Sequence, residues 1–418
     1  MTLVLSPEER ATASGERGDG AAMAMRIVAE TARMLGAPRL IPIASTHIDG
    51  ALYHGDSGTL FAERLVQGGA KVAVRSTLNV GALDLTGCSR VRLEEPARGM
   101  ARRMMQAYRQ LGCEASWTCA PYQANHRPAA GTDVAWGESN AVVFCNSVLG
   151  ARTNRYGDFL DIACAISGRA PDYGLHRPEN RKATLVFDVS ALSADFILSD
   201  SAWPVLGSLY GREVGSAIGV IAGVDSHPGE DALKAFGAAA ASSGAVGLIH
   251  IAGVTPEAPS LSVALDGAKP KQTIAVTARM VDDARRRLST AQVVDRIDAV
   301  AIGSPHLSLA ECEALERLLA GRSVIVPIYA CTGRHVLAEL EKAERRKAME
   351  SLGVILVVDT CVVVTPIMPD LRDGVLMTNS GKFAHYAPGN TGYAVVYGSL
   401  AECVESAIAG KPVFARLA

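Results

Sequence analysis

Polar side chains directly follow two short apolar runs in the first part of the chain. Thr46-His47-Ile48-Asp49-Gly50 follows RLIPIAS, and Thr77-Leu78-Asn79 follows AKVAVRS. Ligands of open parallel sheets meet the carboxyl ends of the strands, so these positions are candidates for a site. His47 and Asp49 alternate along the chain, and in an extended strand end both face the same side. The pair can transfer a proton, orient a ligand or simply form a local turn.

Charged residues also flank the apolar segment AVVFCNSVLG, which we predict to be a buried strand. Glu138 and Ser139 precede it, and Glu138 is either a base held in a polar pocket or a carboxylate paired with nearby arginines. Arg152 and Arg155 follow the segment. Their forked donors match a carboxylate, although a salt-bridged helix start contains the same residue types.

Two of the nine cysteines are candidate metal ligands. Cys119 lies in SWTCAPYQ and Cys361 in VVDTCVVVTP, each beside a predicted strand end and a proline-marked turn. Folding can bring distant cysteines to one metal, and Cys145 and Cys331 are kept in reserve for the same role. The alternative interpretation is that these thiols, like the other cysteines, are small core residues in a reducing compartment.

Two polar turns in the second half of the chain complete the candidate groups. The segment 378–386 contains Lys382, a glycine and several hydroxyl or amide donors, which can clamp a carboxylate or a phosphate. A plain surface loop is the alternative. Gly303-Ser304-Pro305-His306 follows the apolar run DAVAI at another predicted strand end.

The elements that position these residues alternate between short apolar strands and amphipathic helices. An opening helix is predicted from Glu8 to Leu35, and a βα rhythm follows it in both halves of the chain. Nearly continuous apolar strands are typical of parallel sheets covered on both faces, so we predict an α/β fold with mainly parallel sheets. We expect a first lobe over 1–185 with most polar motifs and a second over 186–418. The aperiodic stretch 168–184 is a long loop or the boundary.

The composition restricts the functional classes. Forty-one basic and 43 acidic residues give a formal net charge of -2, which argues against nucleic acid as a partner. The N-terminal residues do not resemble a signal peptide, and the apolar runs are far shorter than the roughly 20 residues of a membrane helix. Phosphate-binding glycine loops are absent from the sequence, which disfavours nucleotide cofactors. We expect a cytoplasmic protein that acts on a small metabolite.

Ten sequence motifs, which contain most of the candidate residues named above, are similar to motifs of the large subunit of the aconitase X family. The likeness runs in order from Leu5 to Gly398. The motifs that carry it are THIDG (46–50), STLN (76–79), TCAPYQ (118–123), WGESNAV (136–142), NSVLGARTNR (146–155), SGRAPDYGLH (167–176), HIAGVTPEA (250–258), GSPHLS (303–308), DTCVVV (359–364) and NSGKFAHY (379–386).

The resemblance implies an aconitase-like, multi-lobed α/β/α fold and a dehydratase. The family's activities are the dehydration of cis-3-hydroxy-L-proline to Δ1-pyrroline-2-carboxylate and that of mevalonate 5-phosphate. No segment of this sequence resembles the family's small swivelling domain, so a small partner subunit is implied. A metal or metabolite sensor that kept the fold without the chemistry is an alternative from another class.

The resemblance also implies a cofactor and assigns residues to it. Cys119 and Cys361 fall on iron-sulfur ligands, while Ser304 replaces the third cysteine of the phosphomevalonate branch. A [2Fe-2S] cluster is therefore favoured over [3Fe-4S], [4Fe-4S] or mononuclear iron, with Cys145, Cys331, Ser304 or solvent completing the ligands.

The remaining expectations concern the substrate. We expect catalytic roles for Glu138, His47 and Lys382. The resemblance implies substrate contacts from Gly50, Ala51, Leu52, Asn79 and Ser139, and the residue types of Arg152 and Asp49 add two further candidates. Ser304 departs from the phosphomevalonate pattern and Asp49 suits a cationic imino acid, so hydroxyproline is the preferred substrate over phosphomevalonate.

Overall fold

The computed structural model describes residues 2–291 and 294–414, and these form two compact units. Unit 1 consists of the chain up to Leu83 together with Leu93–Lys182. Unit 2 consists of Asp84–Arg92 and of the chain from Ala183 onward. The sequence places the boundary after residue 185, whereas the units divide after Lys182 and a short earlier segment joins unit 2.

Unit 1 begins with two helices where the sequence predicts one. A capping box between Ser6 and Glu9 starts the first helix, and Gly15 and Gly18 adopt positive φ angles of 104° and 91° that interrupt the helical path. The prediction of a single helix from Glu8 to Leu35 was therefore wrong. The helices of unit 1 are α1 (Pro7–Ser14), α2 (Asp19–Met34), α3 (Asp56–Gln67), α4 (Ala97–Gln110), α5 (Ser139–Ser147) and α6 (Leu160–Ser167).

The strands of unit 1 are β1 (Leu40–Pro42), β2 (Ser45–Ile48), β3 (Arg75–Leu78), β4 (Ala135–Trp136) and β5 (Arg169–Pro171). One sheet has the order β3-β2-β4, and both of its pairings are parallel. In this register His47 lies level with Thr77 on one side and with Trp136 on the other. β1 and β5 form a separate antiparallel pair.

The apolar segment AVVFCNSVLG forms helix α5, so the prediction of a strand there was wrong. Glu138 caps the helix by accepting a hydrogen bond from the backbone N–H of Ala141. The helix is buried on all sides within a cluster that includes Trp136 and Phe144. A helix that is apolar all round has the same sequence pattern as a short buried strand, and periodicity cannot distinguish them.

Unit 2 contains ten helices and two sheets among the described residues. Its helices are α7 (Ala194–Leu198), α8 (Ala202–Val214), α9 (Glu230–Ser243), α10 (Leu261–Ala264), α11 (Ala278–Arg287), α12 (Leu309–Leu319), α13 (Arg334–Lys342), α14 (Arg345–Ser351), α15 (Gly381–Thr391) and α16 (Leu400–Ala409). Its strands are β6 (Leu185–Asp188), β7 (Gly219–Ala222), β8 (His250–Ile251), β9 (Gln272–Ala275), β10 (Ala299–Leu307), β11 (Ile328–Thr332), β12 (Val354–Val358), β13 (Val375–Thr378) and β14 (Ala394–Tyr397).

The two sheets of unit 2 are parallel throughout. One has the order β8-β7-β6-β9 and the other the order β12-β11-β10-β13-β14. The predicted α/β class with mainly parallel sheets is confirmed. Within the described part of the chain, no helix is both long and apolar enough to cross a membrane.

Strand β10 includes a segment that the sequence predicts to be a turn. Gly303-Ser304-Pro305-His306 continues the strand, but the register against β11 shifts between Ile302 and Leu307. Gly303 has a φ of +91°, and a Cβ atom there would lie 2.1 Å from the carbonyl oxygen of Cys331. Only glycine fits this close approach, which holds the Ser304 segment against the end of β11.

Candidate functional site

Unit 1 gathers polar residues where β2, β3 and β4 end. The Asn79 side-chain amide donates to the carboxylate of Asp49, and its backbone N–H donates to Ile48 O at 2.8 Å. Gly137 N, after β4, donates to His47 O at 2.9 Å. Parallel strands bring their carboxyl ends to one edge, so Asp49, Asn79 and the start of α5 lie together there.

A buried carboxylate that the sequence analysis did not single out supports this edge. Asp161 Oδ2 accepts the backbone N–H groups of Asp49 at 2.7 Å and Gly50 at 3.1 Å. Burial raises the pKa of Asp161 to about 7, although the backbone N–H donors oppose that shift. An acidic residue inside the apolar helix LDIACAIS was the available signal, because buried unpaired acids are rare.

The turn at Gly50 fits closely against its surroundings. A Cβ atom at Gly50 would lie 3.0 Å from Tyr108 Oη. One at Gly137 would lie 2.8 Å from Asp49 Cβ and 3.0 Å from Asp161 Oδ2. Among the predicted contact residues of this turn, the side chains of Ala51 and Leu52 are buried. A ligand at this turn would therefore meet the backbone before these side chains.

Glu138 and Ser139 form the start of α5. Glu138 is 3% exposed, and its carboxylate accepts Ala141 N–H at 2.6 Å and the Ser139 hydroxyl at 3.4 Å. In the next position the Asn140 amide donates to the carbonyl oxygen of Cys119 at 3.1 Å. This contact brings Cys119 to the amino end of α5, beside Glu138 and Ser139.

His47 lies in β2, two residues before Asp49, and is completely buried. Its Nδ1 atom is 2.8 Å from Thr77 Oγ1, which is also 2.7 Å from Nδ1 of His126. Burial lowers the pKa of His47 well below its ordinary value, and the neighbouring His126 lowers it further. His47 is therefore neutral near pH 7.

Arg152 lies at the other end of β4. Its backbone forms a parallel bridge with Asp133, which precedes the strand, whereas Glu138 follows the strand. The structure thus does not bring Arg152 to the edge that holds Asp49 and Glu138. This placement results from α5, because a helix in place of the predicted strand returns the chain to the beginning of β4.

Unit 2 brings two of the candidate thiols into contact. Cys361 follows β12, and its sulfur accepts a hydrogen bond from the thiol of Cys331 on β11. This bond, backbone N–H donors of Val363 and Val364 and the positive charge of Lys382 lower the pKa of Cys361, although burial opposes them. The pair is therefore suited to thiolate formation.

Ser304 and Lys382 lie near this pair. The hydroxyl of Ser380, which caps α15, donates to the carbonyl oxygen of Ser304 and accepts the Phe383 N–H at 3.1 Å. Lys382 occupies the first turn of the same helix. Cys145 is placed differently, because it lies inside the apolar core of unit 1 and burial raises the pKa of its thiol.

The donor chemistry of Cys331 and Cys361 fits a thiolate-bound metal such as iron. Within residues 2–291 and 294–414, no three His, Cys, Asp or Glu side chains are grouped as a metal site. Unit 2 therefore contains two candidate sulfur ligands as a pair, while the third candidate cysteine, Cys119, belongs to unit 1.

A cavity of about 340 Å³ adjoins Ser304 within unit 2. Trp203, Ser304 and Ser380 are part of its wall, together with the charged residues Lys234 and Asp231. It is of a size that accepts a small ligand.

The buried cation beside this cavity is fully paired. Lys234 Nζ lies 2.8 Å from Asp231 Oδ1 and 3.3 Å from His306 O, and it forms a second ion pair with Glu311. The contacts join α9 to β10 and α12, so removal of the cation alone would leave its two acidic partners uncompensated.

Sequence profiles of three aconitase X domains match the chain in order. The first domain matches residues 2–179, the second 183–286 and the third 297–409. The first of these regions corresponds closely to unit 1, and the other two lie in unit 2.

Named relatives are dehydratases. The chain is 42% identical to the cis-3-hydroxy-L-proline dehydratase of Pseudomonas aeruginosa over 96% of this chain and 70% of that protein. It is 39% identical to the enzyme of the same name from Hypocrea jecorina, over 98% and 69% of the two chains. It is 37% identical to the phosphomevalonate dehydratase large subunit of Methanothermobacter thermautotrophicus, over 94% of this chain and 96% of that protein.

A solved structure has the same fold. The crystal structure of Thermococcus kodakaraensis aconitase X in its holo form superposes with a TM-score of 0.86 at 32% sequence identity. The match covers 97% of this chain and all of that one. The chain therefore belongs to the aconitase X family of dehydratases.

Proposed function

We propose that this chain is the large catalytic subunit of a dehydratase that converts cis-3-hydroxy-L-proline to Δ1-pyrroline-2-carboxylate and water. The observation that carries the proposal is the 42% identity to the Pseudomonas aeruginosa enzyme over 96% of this chain. The phosphomevalonate relative from Methanothermobacter is less similar, at 37%.

The reaction needs a base and an acid. A proton leaves C2, next to the carboxylate, and the C3 hydroxyl departs as water after gaining a proton. The resulting double bond between C2 and C3 moves to C2 and nitrogen when the ring nitrogen loses a proton and C3 gains one. Atoms and charges balance without an oxidant or a reductant.

Glu138 is the proposed base. Its carboxylate is nearly buried at the edge that holds Asp49 and Asn79, and the start of α5 fixes its position. In the cis isomer the C2 hydrogen and the C3 hydroxyl lie on opposite faces of the ring, so a second group is needed to protonate the leaving hydroxyl. His47 is the second proposed proton carrier, and a hydroxyl of the partner subunit is the third.

Asp49, Asn79 and Lys382 are proposed to bind the substrate. The carboxylate of Asp49 suits the ring nitrogen cation, and the Lys382 ammonium suits the substrate carboxylate. The backbone of the Gly50 turn and the Ser139 hydroxyl are further proposed contacts. Arg152 is a less favoured substrate-binding residue, because its backbone lies at the opposite end of β4 from Glu138.

An iron-sulfur cluster is the proposed cofactor. Cys361 and Cys119 are its proposed ligands, and Cys331 is a stronger reserve than Cys145 because its thiol contacts Cys361. Ser304 stands at the third family position. When bound, the cluster would supply a Lewis acid that weakens the carbon–oxygen bond of the leaving hydroxyl. We favour a [2Fe-2S] cluster because Ser304 replaces a cysteine.

A small partner subunit and a cytoplasmic location complete the proposal. The archaeal relatives are named large subunits, which supports a partner for this chain. The same relatives support the second candidate function, phosphomevalonate dehydration, because the Methanothermobacter match covers 96% of that protein.

The test is reconstitution of the full chain with iron, sulfide and its small partner under anaerobic conditions. Product formation is then measured from cis-3-hydroxy-L-proline and mevalonate 5-phosphate in parallel. Turnover of the imino acid alone is the expected result. Turnover of the phosphate ester alone would replace our proposal with the second candidate, and an iron-loaded complex inactive on both would favour another hydroxy acid or a sensor.

A further inference from the structure

Two proposed cluster residues of unit 2 lie on strands that are not neighbours in the sheet. Ser304 belongs to β10 and Cys361 follows β12, but the strand order β12-β11-β10 places β11 between them. The backbone hydrogen bonds of a parallel ladder join adjacent strands only. A side chain must therefore pass the end of β11 if it is to hold these two residues at a fixed separation.

The imidazole of His306 makes this connection. His306 is completely buried on β10, and its Nε2 atom lies 3.1 Å from the carbonyl oxygen of Thr360, the residue before Cys361. A carbonyl oxygen only accepts hydrogen bonds, so Nε2 carries the hydrogen and donates it. The register shift between Ile302 and Leu307 interrupts the regular pairing of this part of β10 with β11. The ring is therefore free to reach the turn beyond β12.

The backbone that carries this ring is held by two helices. Lys234 Nζ, on α9, lies 3.3 Å from the carbonyl oxygen of His306. Two residues earlier, the hydroxyl of Ser380 at the start of α15 donates to the carbonyl oxygen of Ser304. The imidazole thus extends from a fixed segment of β10 to the end of β12.

The turn that accepts the hydrogen bond contains Cys361. The carbonyl oxygen of Cys361 accepts the backbone N–H groups of Val364 at 3.1 Å and Thr365 at 3.0 Å. The hydroxyls of Thr360 and Thr365 lie 2.7 Å apart. These internal contacts make the turn compact, so a force on the backbone of Thr360 also acts on the position of Cys361.

Two side chains from other elements attach this turn to the rest of unit 2. Arg334, at the start of α13, forms an ion pair with Asp359, the residue before Thr360. The second attachment is the hydrogen bond from His306. Of these two contacts, only the one from His306 comes from β10, the strand that carries Ser304.

We propose that His306 is a positioning residue that holds Cys361 beside Cys331 and at a fixed distance from Ser304. Without its N–H, the buried carbonyl of Thr360 would lose this partner and the turn would open more often. The role rests on the proposed dehydratase function only for the identity of the cofactor that these residues bind.

The first test follows thiol reactivity in the metal-free full chain. His306→Leu removes the donor, whereas His306→Gln keeps a side-chain N–H at a similar reach. Mass spectrometry of the alkylated peptides measures how fast Cys361 is labelled. We expect labelling to be about 10-fold faster in His306→Leu, the effect of one buried hydrogen bond, and close to the wild-type rate in His306→Gln.

Cys312 is the internal control of this experiment. It is buried on α12 of the same unit, so its labelling reports the opening of that core. Faster labelling of Cys361 alone supports the positioning role. An unchanged rate at Cys361, or equal acceleration of both thiols, would overturn it.

A spectroscopic measurement on the wild type covers the case in which His306→Leu does not fold. Long-range ¹H–¹⁵N spectra of the histidine-labelled full chain report which ring nitrogen carries the hydrogen, and His306→Gln identifies the signal. We expect a hydrogen on Nε2 of His306. A ring that carries its hydrogen on Nδ1 alone cannot donate to Thr360 and would contradict the proposal.

The second test measures iron retention in the reconstituted complex. A chelator titration should show that His306→Leu lowers the affinity for iron by about 10- to 100-fold, as is typical when a residue that orients a metal ligand is replaced. His306→Gln should restore most of the affinity. Wild-type affinity in His306→Leu would overturn the proposal. If the wild-type complex does not dehydrate hydroxyproline while the variants differ as expected, the proposed function fails and the positioning role stands.

Discussion

At the scale of single residues, the chemistry of each candidate depends on its immediate partners. Cys361 and Cys145 are both buried cysteines, but a thiol, backbone N–H groups and Lys382 lower the pKa of Cys361. Cys145 lies in an apolar core, where burial raises the pKa of the thiol. The same residue type is therefore a proposed ligand in one place and a core residue in the other.

Replacement of Cys361 with serine should remove bound iron and activity together, because a hydroxyl is a much weaker iron ligand than a thiolate. Iron content and turnover of the reconstituted complex are the measurements. Cys88→Ser, on a half-buried thiol of the same unit, is the matched control and should retain both. An iron-free Cys361→Ser enzyme that remains active would refute the assignment.

Replacement of Glu138 with glutamine should lower kcat by about 10²- to 10⁴-fold, because the amide cannot accept the C2 proton. The amide oxygen can still cap α5, so the melting temperature should stay near that of the wild type. Glu179→Gln removes an exposed carboxylate of the same unit and should leave kcat unchanged. A fully active Glu138→Gln enzyme would transfer the role of base to another residue.

At the scale of elements, the site of unit 1 depends on how strands end and on what holds the following turn. Asp161 belongs to α6 and binds the backbone N–H groups of the turn after β2. Gly137 allows the chain after β4 to approach the same turn closely. Asp161 of α6, the sheet that contains β2 and the close approach at Gly137 thus all hold Asp49 in position.

The stability of unit 1 should depend on pH through Asp161. Its folded pKa is raised to about 7, so between about pH 4 and pH 7 the folded state binds more protons than the unfolded state. The free energy of unfolding should therefore fall as the pH rises through this window.

Urea unfolding of the full chain at a series of pH values measures this dependence. Asp161→Asn removes the titrating group and should flatten the slope, whereas Asp158→Asn, at an exposed position before the same helix, should preserve it. An unchanged slope in Asp161→Asn would show that other groups cause the dependence.

At the scale of the whole molecule, the matched family domains and the compact units are organised differently. The second and third aconitase X domains lie in one unit, and the Lys234 cluster joins them, since α9 belongs to the second and α12 to the third. Asp231 and Glu311 are partly exposed, so their pairing with Lys234 is partly screened by solvent.

Replacement of Lys234 with methionine should destabilise unit 2 by about 2 kcal/mol, below the 3–5 kcal/mol typical of a fully buried broken pair. The loss arises because Asp231 and Glu311 keep their charges without the cation. Urea unfolding followed by circular dichroism measures it, with Lys271→Met as an exposed control. Equal midpoints for the two variants would contradict the stabilising role of the cluster.

Local patterns in the sequence were sufficient for the α/β class and for the polar edge of unit 1. Apolar runs of strand length predict buried parallel strands, and residues after such runs reach the same sheet edge. His47, Asp49 and Asn79 were identified in this way. The motif resemblance led to the aconitase X family, which the domain matches confirm.

The tertiary structure decided the features that depend on distant partners. Asp161 binds the N–H of Asp49 across 112 positions, and no local periodicity reports such a contact. The choice of helix for α5, the contact between Cys331 and Cys361 and the place of His126 likewise follow from packing. Sequence patterns record which face of an element is apolar, but only the packed fold determines which side chains meet there.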